Sequence, residues 1–295
     1  MNDRLRLGCV LLTWEGARPE DLGRAIEKVF AQAGDPIEVV VVCNGIPAPA
    51  DLPDNVIVEE LSENVGITGG RNAGFRRLQE LGGIDVVMFL DDDGWLASTT
   101  VGEILRSRFE EDPELGIVSF RIKDPDTGIT QRRHVPRLRV GDPGQSSDVT
   151  TFLGGGSAIR TAVIDQVGPF PEEFFYAHEE TDLAWRALDA GWRIRYDTDC
   201  VLYHPLTLPT KHPTYFRMNA RNRVWLAKRN LPWPVAVGYL GTWVALTLVR
   251  TRTLTGLRAW WSGFFEGLRT PAGPRRPIRW RTVWKLTRLG RPPLV

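Results

Sequence analysis

Five short apolar runs, most of them rich in β-branched residues, leave this chain little choice of architecture: "LGCVLLT" (7–13), "IEVVVVCN" (37–44), "NVIVEEL" (55–61), "DVVMFL" (85–90) and "GIVSFRI" (116–122). Most show no apolar–polar alternation, so strands built from them need cover on both faces, the condition of a parallel sheet held between helices. The intervening segments have helical periodicity: Pro19 to about Gln32, about Gly70 to Leu81, and Ser98 to Asp112. The expected fold class is α/β, a mostly parallel, Rossmann-like sheet flanked by helices.

Residues 123–148 are rich in Pro, Gly and charge and read as a loop or short hairpin at the sheet edge. A helix around 161–167, the aromatic loop "GPFPEEFFYAHEE" and a helix from about Thr181 to Ala190 follow, then "WRIRYD" and "CVLYHP" as two short strands. From Thr214 the pattern turns helical, with seven of the 11 tryptophans between Trp225 and Trp284. We therefore expect an α/β domain over 1–230 and a helical extension over 231–295.

Charge divides along the same line. Of 37 basic and 36 acidic residues, 11 basic ones and the single Glu266 lie from Arg250 onward, so a body of about −9 carries a tail of +10. Cys9, Cys43 and Cys200 lie far apart without a Cys-x-x-Cys pair, which argues against a disulfide framework or zinc site and for a reducing compartment. The apolar run in "MNDRLRLGCVLLTWEG" is too short for a secretory signal, and no export is expected.

The most chemically pointed stretch is "FLDDDGWL" (89–96), where Asp91, Asp92 and Asp93 follow a buried strand. Adjacent carboxylates repel by roughly a kcal/mol per pair even when solvated. In open α/β sheets ligands bind beyond the carboxyl ends of the strands, where this triplet falls. Hard oxygen ligands suit Mg²⁺ or Mn²⁺, and an Asp-x-Asp pair lets an ion also grip a diphosphate. The plainer reading is a solvated turn with a helix cap, although three acids exceed what capping needs.

Three other segments qualify. "NVGITGGRNAGF" (64–75) sets glycines ahead of a helix, where backbone N–H groups can face a phosphate beside Arg71, or simply make a turn; it matches neither the dinucleotide nor the P-loop motif. "HEETDLAWRALDAGW" (178–192) opens a helix with Glu179, Glu180 and Asp182. Asp182 also has a structural reading, complementing the helix dipole and pairing with Arg186 four residues on. The aromatic loop and the extra acid before it suit a general base beside a substrate. His204, closing a strand in "VLYHP", is either structural or a third ligand for a divalent ion.

In their order along the chain, "NVGITGGRNAGF", "FLDDDG", "FLGGGSAIR", "EETDLAWR" and "HP" resemble the GT-A family-2 glycosyltransferases, particularly the bacterial rhamnosyl- and galactofuranosyltransferase-like branch, over roughly residues 5–230. The resemblance implies an Asp-x-Asp element with Asp93 as metal ligand, Asp91 toward the ribose or metal, Asp92 beside them, and His204 on the ion. It implies Glu180 as catalytic base, with Asp182 as the following acid. Arg71 and Asn72, with Gly70 before them, match positions that touch the nucleotide. Gly154, Gly155 and Gly156 match positions where backbone approaches donor sugar and acceptor. Thr13 is kept from the family's "TYN" opening, here "TWE", with Glu15 in place of Asn. Where the family ends its second strand with Asp-Asn, this chain has Cys43 and Asn44, and a thiol is a poor partner for a base N3–H.

The implied activity is inverting, metal-dependent transfer from a UDP- or dTDP-sugar, of galactofuranose or rhamnose type, to a glycan or lipid-linked acceptor. A sugar-nucleotide pyrophosphorylase is the alternative enzyme, but wants a glycine-rich basic loop where this chain has "TWEGARPED". A catalytically dead nucleotide-sugar-binding membrane scaffold is the alternative outside enzymes. "LPWPVAVGYLGTWVALTLV" (231–249) carries no charge, yet its prolines and glycines leave a helix of about 24 Å, short of a ~30 Å hydrocarbon core. The Arg-, Trp- and Phe-rich stretch beyond it suits peripheral contact with anionic lipid through 231–295. No nucleic acid is expected, and the expected location is cytoplasmic, on the inner face of the membrane.

Overall fold

Alternate residues of each long strand feed two separate cores, which is why the apolar runs are continuous. In β1 (Leu7–Trp14), Cys9 and Leu11 face one core while Val10 and Leu12 face the other. The computed structural model describes residues 4–205 and 213–294. Its further strands are β2 (Glu38–Asn44), β3 (Ile57–Leu61), β4 (Val86–Asp91), β5 (Trp95–Leu96), β6 (Leu115–Lys123), β7 (Ser147–Asp148), β8 (Gly156–Arg160) and β9 (Arg193–Tyr203). The helices are α1 (Pro19–Phe30), α2 (Gly66–Leu81), α3 (Val101–Glu111), α4 (Thr161–Val167), α5 (Glu179–Ala190), α6 (Pro213–Asn230), α7 (Trp233–Arg250), α8 (Leu254–Arg269) and α9 (Trp280–Arg288).

The sheet order is β3-β2-β1-β4-β8-β6-β9-β5, with β7 on β9. β3, β2, β1 and β4 pair in parallel; β8 runs antiparallel between β4 and β6; β9 returns parallel to β6. The two expected strands after Trp192 are one strand, β9, whose pairing with β6 shifts register between Phe120 and Arg121. The run 123–148 is mostly irregular and ends in the two-residue β7.

Helices α1 and α3 cover one face, packing Leu22, Ile26, Val29, Leu105 and Phe109 against it. Helices α2, α4, α5 and α6 cover the other, and Leu231, Val235, Tyr239, Ile278 and Leu286 join that same core. Glycines let α8 lie directly on α6: a Cβ at Gly263 would stand 1.9 Å from the Arg217 carbonyl oxygen, and one at Gly267 2.8 Å from that of Arg221. All three cysteines are buried free thiols.

Candidate active site

Strand register puts the expected residues along one edge. Leu12 on β1 pairs with Asp91 on β4, and Trp14 with Asn44 on β2, so the carboxyl ends of three parallel strands meet there. Antiparallel β8 brings its preceding turn to the same edge, with Leu90 opposite Gly156 and the Asp91 N–H donating to the Gly155 carbonyl at 3.4 Å. Space dictates the glycines of that turn. A Cβ at Gly155 would sit 1.8 Å from Asp91 Oδ2, and one at Gly154 would sit 2.2 Å from Arg71 Nη1 and 2.6 Å from Glu180 Oε1.

Arg71, in the second turn of α2, ties these parts together. Its side chain is 4% exposed and reaches Asp91 Oδ1 at 3.2 Å, Glu179 Oε1 at 3.6 Å and Glu180 Oε1 at 3.8 Å. Residues distant in sequence thus share one buried cation. Burial, then the charge of Glu180, pushes Glu179 above the ordinary carboxylate range, against the pull of Arg71. Burial also raises Glu180, opposed by Arg71 and by hydrogen bonds from backbone N–H groups.

The loop delivering the two glutamates is strained. Phe175, Ala177 and His178 all have left-handed backbones, with φ of 63°, 72° and 73°. Each such non-glycine residue costs on the order of 1–2 kcal/mol and persists only where surroundings impose it. Here Asn222 of α6 donates to the carbonyls of Phe174, Tyr176 and Ala177 at 2.7–2.9 Å, and the Ile67 N–H holds that of Phe175 at 2.8 Å.

The Asp triplet separates into three environments. Asp91 turns to Arg71. Asp92 is 8% exposed, and burial, opposed by a hydrogen bond from Thr13, raises it to about 7, with Asp91 and Asp93 adding repulsion. Asp93 meets His204: Oδ1 lies 3.1 Å from Nε2. Burial raises Asp93, but the hydrogen bond and charge of His204 outweigh it and hold the group low; burial lowers His204, but Asp93 outweighs it and holds the imidazole high.

His204 Nδ1 lies 2.7 Å from the Pro205 carbonyl, so Nδ1 carries a proton; Nε2 donates to Asp93 in the charged ring and turns a lone pair toward it in the neutral one. Two acceptors at 3.1 Å repel unless a proton or a cation lies between them. The pair fits a divalent ion on that ground, since cis ligands about 2.1 Å from an octahedral Mg²⁺ stand about 3 Å apart. Asp91 does not join them, and among the described residues no three His, Cys, Asp or Glu side chains form a metal-binding group. Mg²⁺ usually takes one or two carboxylates, with water and phosphate completing the shell; here Asp93 supplies the carboxylate and His204 a nitrogen beside it.

Other expected residues make scaffold contacts. Asn44 donates to Asn64 and to the Gly66 carbonyl and accepts from the Val65 N–H, shaping the loop before α2. Asn72 is bonded at both ends to the 170–172 segment. Gly70 clears Leu12, and Gly156 packs beside Ile122 and Leu202. Asp182 is fully buried, with Arg186 on Oδ2 at 2.8 Å and Arg229 and Asn230 on Oδ1 at 3.0 and 2.6 Å. Cys43 is buried in the core, and burial, then Glu60, raises its thiol to about 11.

Next to the strand ends lies a mainly apolar cavity of about 350 Å³, lined by Trp14, Asn44, Asn64, Ile67, Tyr176 and Tyr215 among others. Trp14 is 53% exposed. Sequence reasoning passed over Trp14, Tyr176 and the Arg71 contact of Glu179; an unpaired tryptophan ending a buried strand was the available signal.

A model of the glycosyl transferase family 2 matches residues 15–168. The chain is 27% identical over 187 residues to the pre-mycofactocin glycosyltransferase of Mycobacterium tuberculosis, a match spanning 57% of this chain and 37% of that protein. It therefore spans well under half the length of that curated relative. It superposes on S. aureus TarS 1-349 in complex with UDP-GlcNAc with a TM-score of 0.62 at 16% identity, covering 96% of this chain and 84% of that one. With the mannosyltransferase PcManGT from Pyrobaculum calidifontis in complex with GDP-Man and Mn²⁺, the TM-score is 0.56 at 17% identity, covering 98% and 85%.

Proposed function

Given that this chain belongs to glycosyl transferase family 2 and has the GT-A fold, we propose that it transfers a sugar from a nucleoside diphosphate to an acceptor hydroxyl, with inversion at the anomeric carbon. The observation that carries this reading is Arg71, which joins Asp91 at the end of β4 to Glu180 at the start of α5 across the Gly154–Gly155 turn. A small substrate seated at that turn reaches both carboxylates.

In the proposed reaction the acceptor oxygen attacks the anomeric carbon, the bond from that carbon to the diphosphate oxygen breaks, and the acceptor proton passes to Glu180. Glu180 must be ionised and within ~3 Å of the hydroxyl. The Glu179 side chain is 2% exposed against 24% for Glu180, so burial favours the neutral form at Glu179, and we assign Glu180 as the carboxylate beside Arg71. Asp182, with both oxygens engaged by Arg and Asn, holds α5 against α6. The apolar cavity suits a nucleoside base stacked on Trp14. Mg²⁺ or Mn²⁺ held by Asp93 and His204 would neutralise charge gathering on the leaving diphosphate.

Screening nucleotide sugars with Mg²⁺ or Mn²⁺ for binding and slow hydrolysis tests the reading; a chain that binds none of them, or binds without ever releasing nucleoside diphosphate, refutes it. Excess chelator is expected to reduce transfer at least tenfold, with recovery on adding metal back. Undiminished activity in chelator would remove the ion from the account.

We further propose that 231–295 rests on an anionic membrane surface. Among the described residues no helix is long and apolar enough to cross a membrane. Trp280 and Trp284, four residues apart on α9, are 54% and 63% exposed, and Val237 and Leu254 70% and 74%. Exposed apolar groups interleaved with a tail of +10 suit the headgroup region. At low salt the protein should sediment with anionic vesicles and not neutral ones, and Trp280→Ala/Trp284→Ala should weaken this several-fold. Equal sedimentation with neutral vesicles, or none with either, contradicts the proposal.

A further inference from the structure

Arginine accumulates in one place without acids to match it. A small cavity of about 60 Å³ is lined by Thr151, His178, Thr181, Arg223, Trp243 and Arg291, among others. It shares Thr151 and Arg291 with a second cavity of about 290 Å³ that adds Arg132 and Arg137. It shares Arg223 and Trp243 with a third of about 500 Å³ that adds Arg250 and Arg252, beside Phe216, Leu246 and Trp260.

The buried Arg71 has three carboxylates and Arg106 pairs with Glu103, whereas in this cleft Arg137, Arg223 and Arg291 are half-buried and Arg132, Arg250 and Arg252 exposed. Among the described residues no carboxylate pairs with Arg132, Arg137, Arg223 or Arg291. Arg223 has only the neutral Asn219 and Tyr239, with its guanidinium 3.2 Å over the Trp243 ring. Among the described residues the Arg291 side chain has no hydrogen-bond partner. Burial, and repulsion from Arg223 and Arg132, disfavour its charge, with Tyr239 alone opposing. Two further polar atoms of the same walls, His178 Nε2 and Trp243 Nε1, are buried with no partner. Like charges packed this way cost energy unless an anion joins them.

We propose that this cleft binds the phosphate or diphosphate of the sugar acceptor. Planar guanidinium groups match phosphate oxygens bidentately, and cations close enough to repel one another, as Arg291 does with Arg223 and Arg132, favour a multiply charged anion over a single carboxylate. Position gives the anion its role: His178 and Thr181 bracket Glu179 and Glu180, and Thr151 precedes the Gly154–Gly155 turn. The apolar walls of the third cavity lie next to the charge, as a lipid-borne phosphate requires. That the anion belongs to an acceptor rests on the transferase reading; that the cleft binds it does not.

Calorimetric titration with inorganic pyrophosphate in excess chelator, so that no metal carries the ligand, tests the cleft. Wild-type protein is expected to bind it, and Arg291→Gln, with an unchanged melting temperature, to bind at least tenfold more weakly. No binding by the wild type, or equal binding by folded Arg291→Gln, overturns the proposal. Decyl diphosphate separates the sources, both consistent with the cleft: affinity at least tenfold above pyrophosphate assigns a lipid headgroup, equal affinity a phosphate without lipid. Parallel titration with UDP or GDP and Mn²⁺ keeps the two readings apart. Nucleotide binding without pyrophosphate binding removes the acceptor cleft alone; the reverse result removes the transferase and leaves the anion site.

Discussion

Glu180→Gln is expected to lower turnover by about 10²-fold or more while nucleotide binding stays within about twofold of wild type, the scale on which a positioned base is lost. Glutamine keeps the shape and removes the proton acceptor. The companion Glu179→Gln should remain within a few-fold of wild-type activity, because burial already favours the protonated, neutral form there and the amide mimics it. The pH profile adds a second reading. A base whose pKa is raised by burial works above that pKa and fails as pH falls through it, so the acid limb should lie above the ordinary glutamate value of about 4.3. That limb should be absent from the residual activity of Glu180→Gln. Wild-type turnover by Glu180→Gln, together with a folded but inactive Asp182→Asn, would pass the role of base to Asp182.

The sheet was legible because its strands are buried on both faces, and a run such as "VVVVC" has few other uses. Boundaries were less so. Helix α2 begins at Gly66, four residues before the expected start, which the poor helix propensity of "GITGG" concealed. Packing decides there: a Cβ at Gly70 would meet Leu12 at 2.4 Å, and one at Gly74 would meet Val10 at 2.4 Å. Helix α5 likewise starts two residues early, behind a left-handed His178 that no cap rule announces. Within the site, the Asp triplet and "EETD" stood out as charge without an obvious scaffold partner. Asn44, Asn72 and Asp182 looked equally functional, and they are held by backbone and side chains of other elements 20 to 100 residues away. Local patterns carry no record of such partners. The unpaired arginines were hidden for the same reason, since Arg132, Arg223 and Arg291 read as separate surface charges until the fold assembles them.

Arg71→Met is the substitution expected to cost most. It removes the cation shared by Asp91, Glu179 and Glu180 and replaces it with a side chain of similar length that pairs with none of them. Breaking a buried ion pair from one side typically costs about 3–5 kcal/mol, because the remaining charge stays desolvated. The sign of the pH dependence identifies the cause. Arg71 lowers both glutamates, so its loss raises their folded pKa further above the unfolded value of about 4.3. The unfolded chain ionises alike in both proteins, so below the folded pKa values of the wild-type glutamates the deficit should not change with pH. As pH rises through those values, about 8 for Glu179, wild type ionises beside Arg71 while the variant cannot, and the deficit should widen. Melting temperatures measured from pH 5 to 10 give the comparison directly. Arg71→Lys should restore part of the stability but less of the activity, since a single ammonium cannot span three carboxylates as a planar fork does. A melting-temperature difference independent of pH would mean that Arg71 contributes packing alone, and the electrostatic link between β4 and α5 would no longer explain how the site is held.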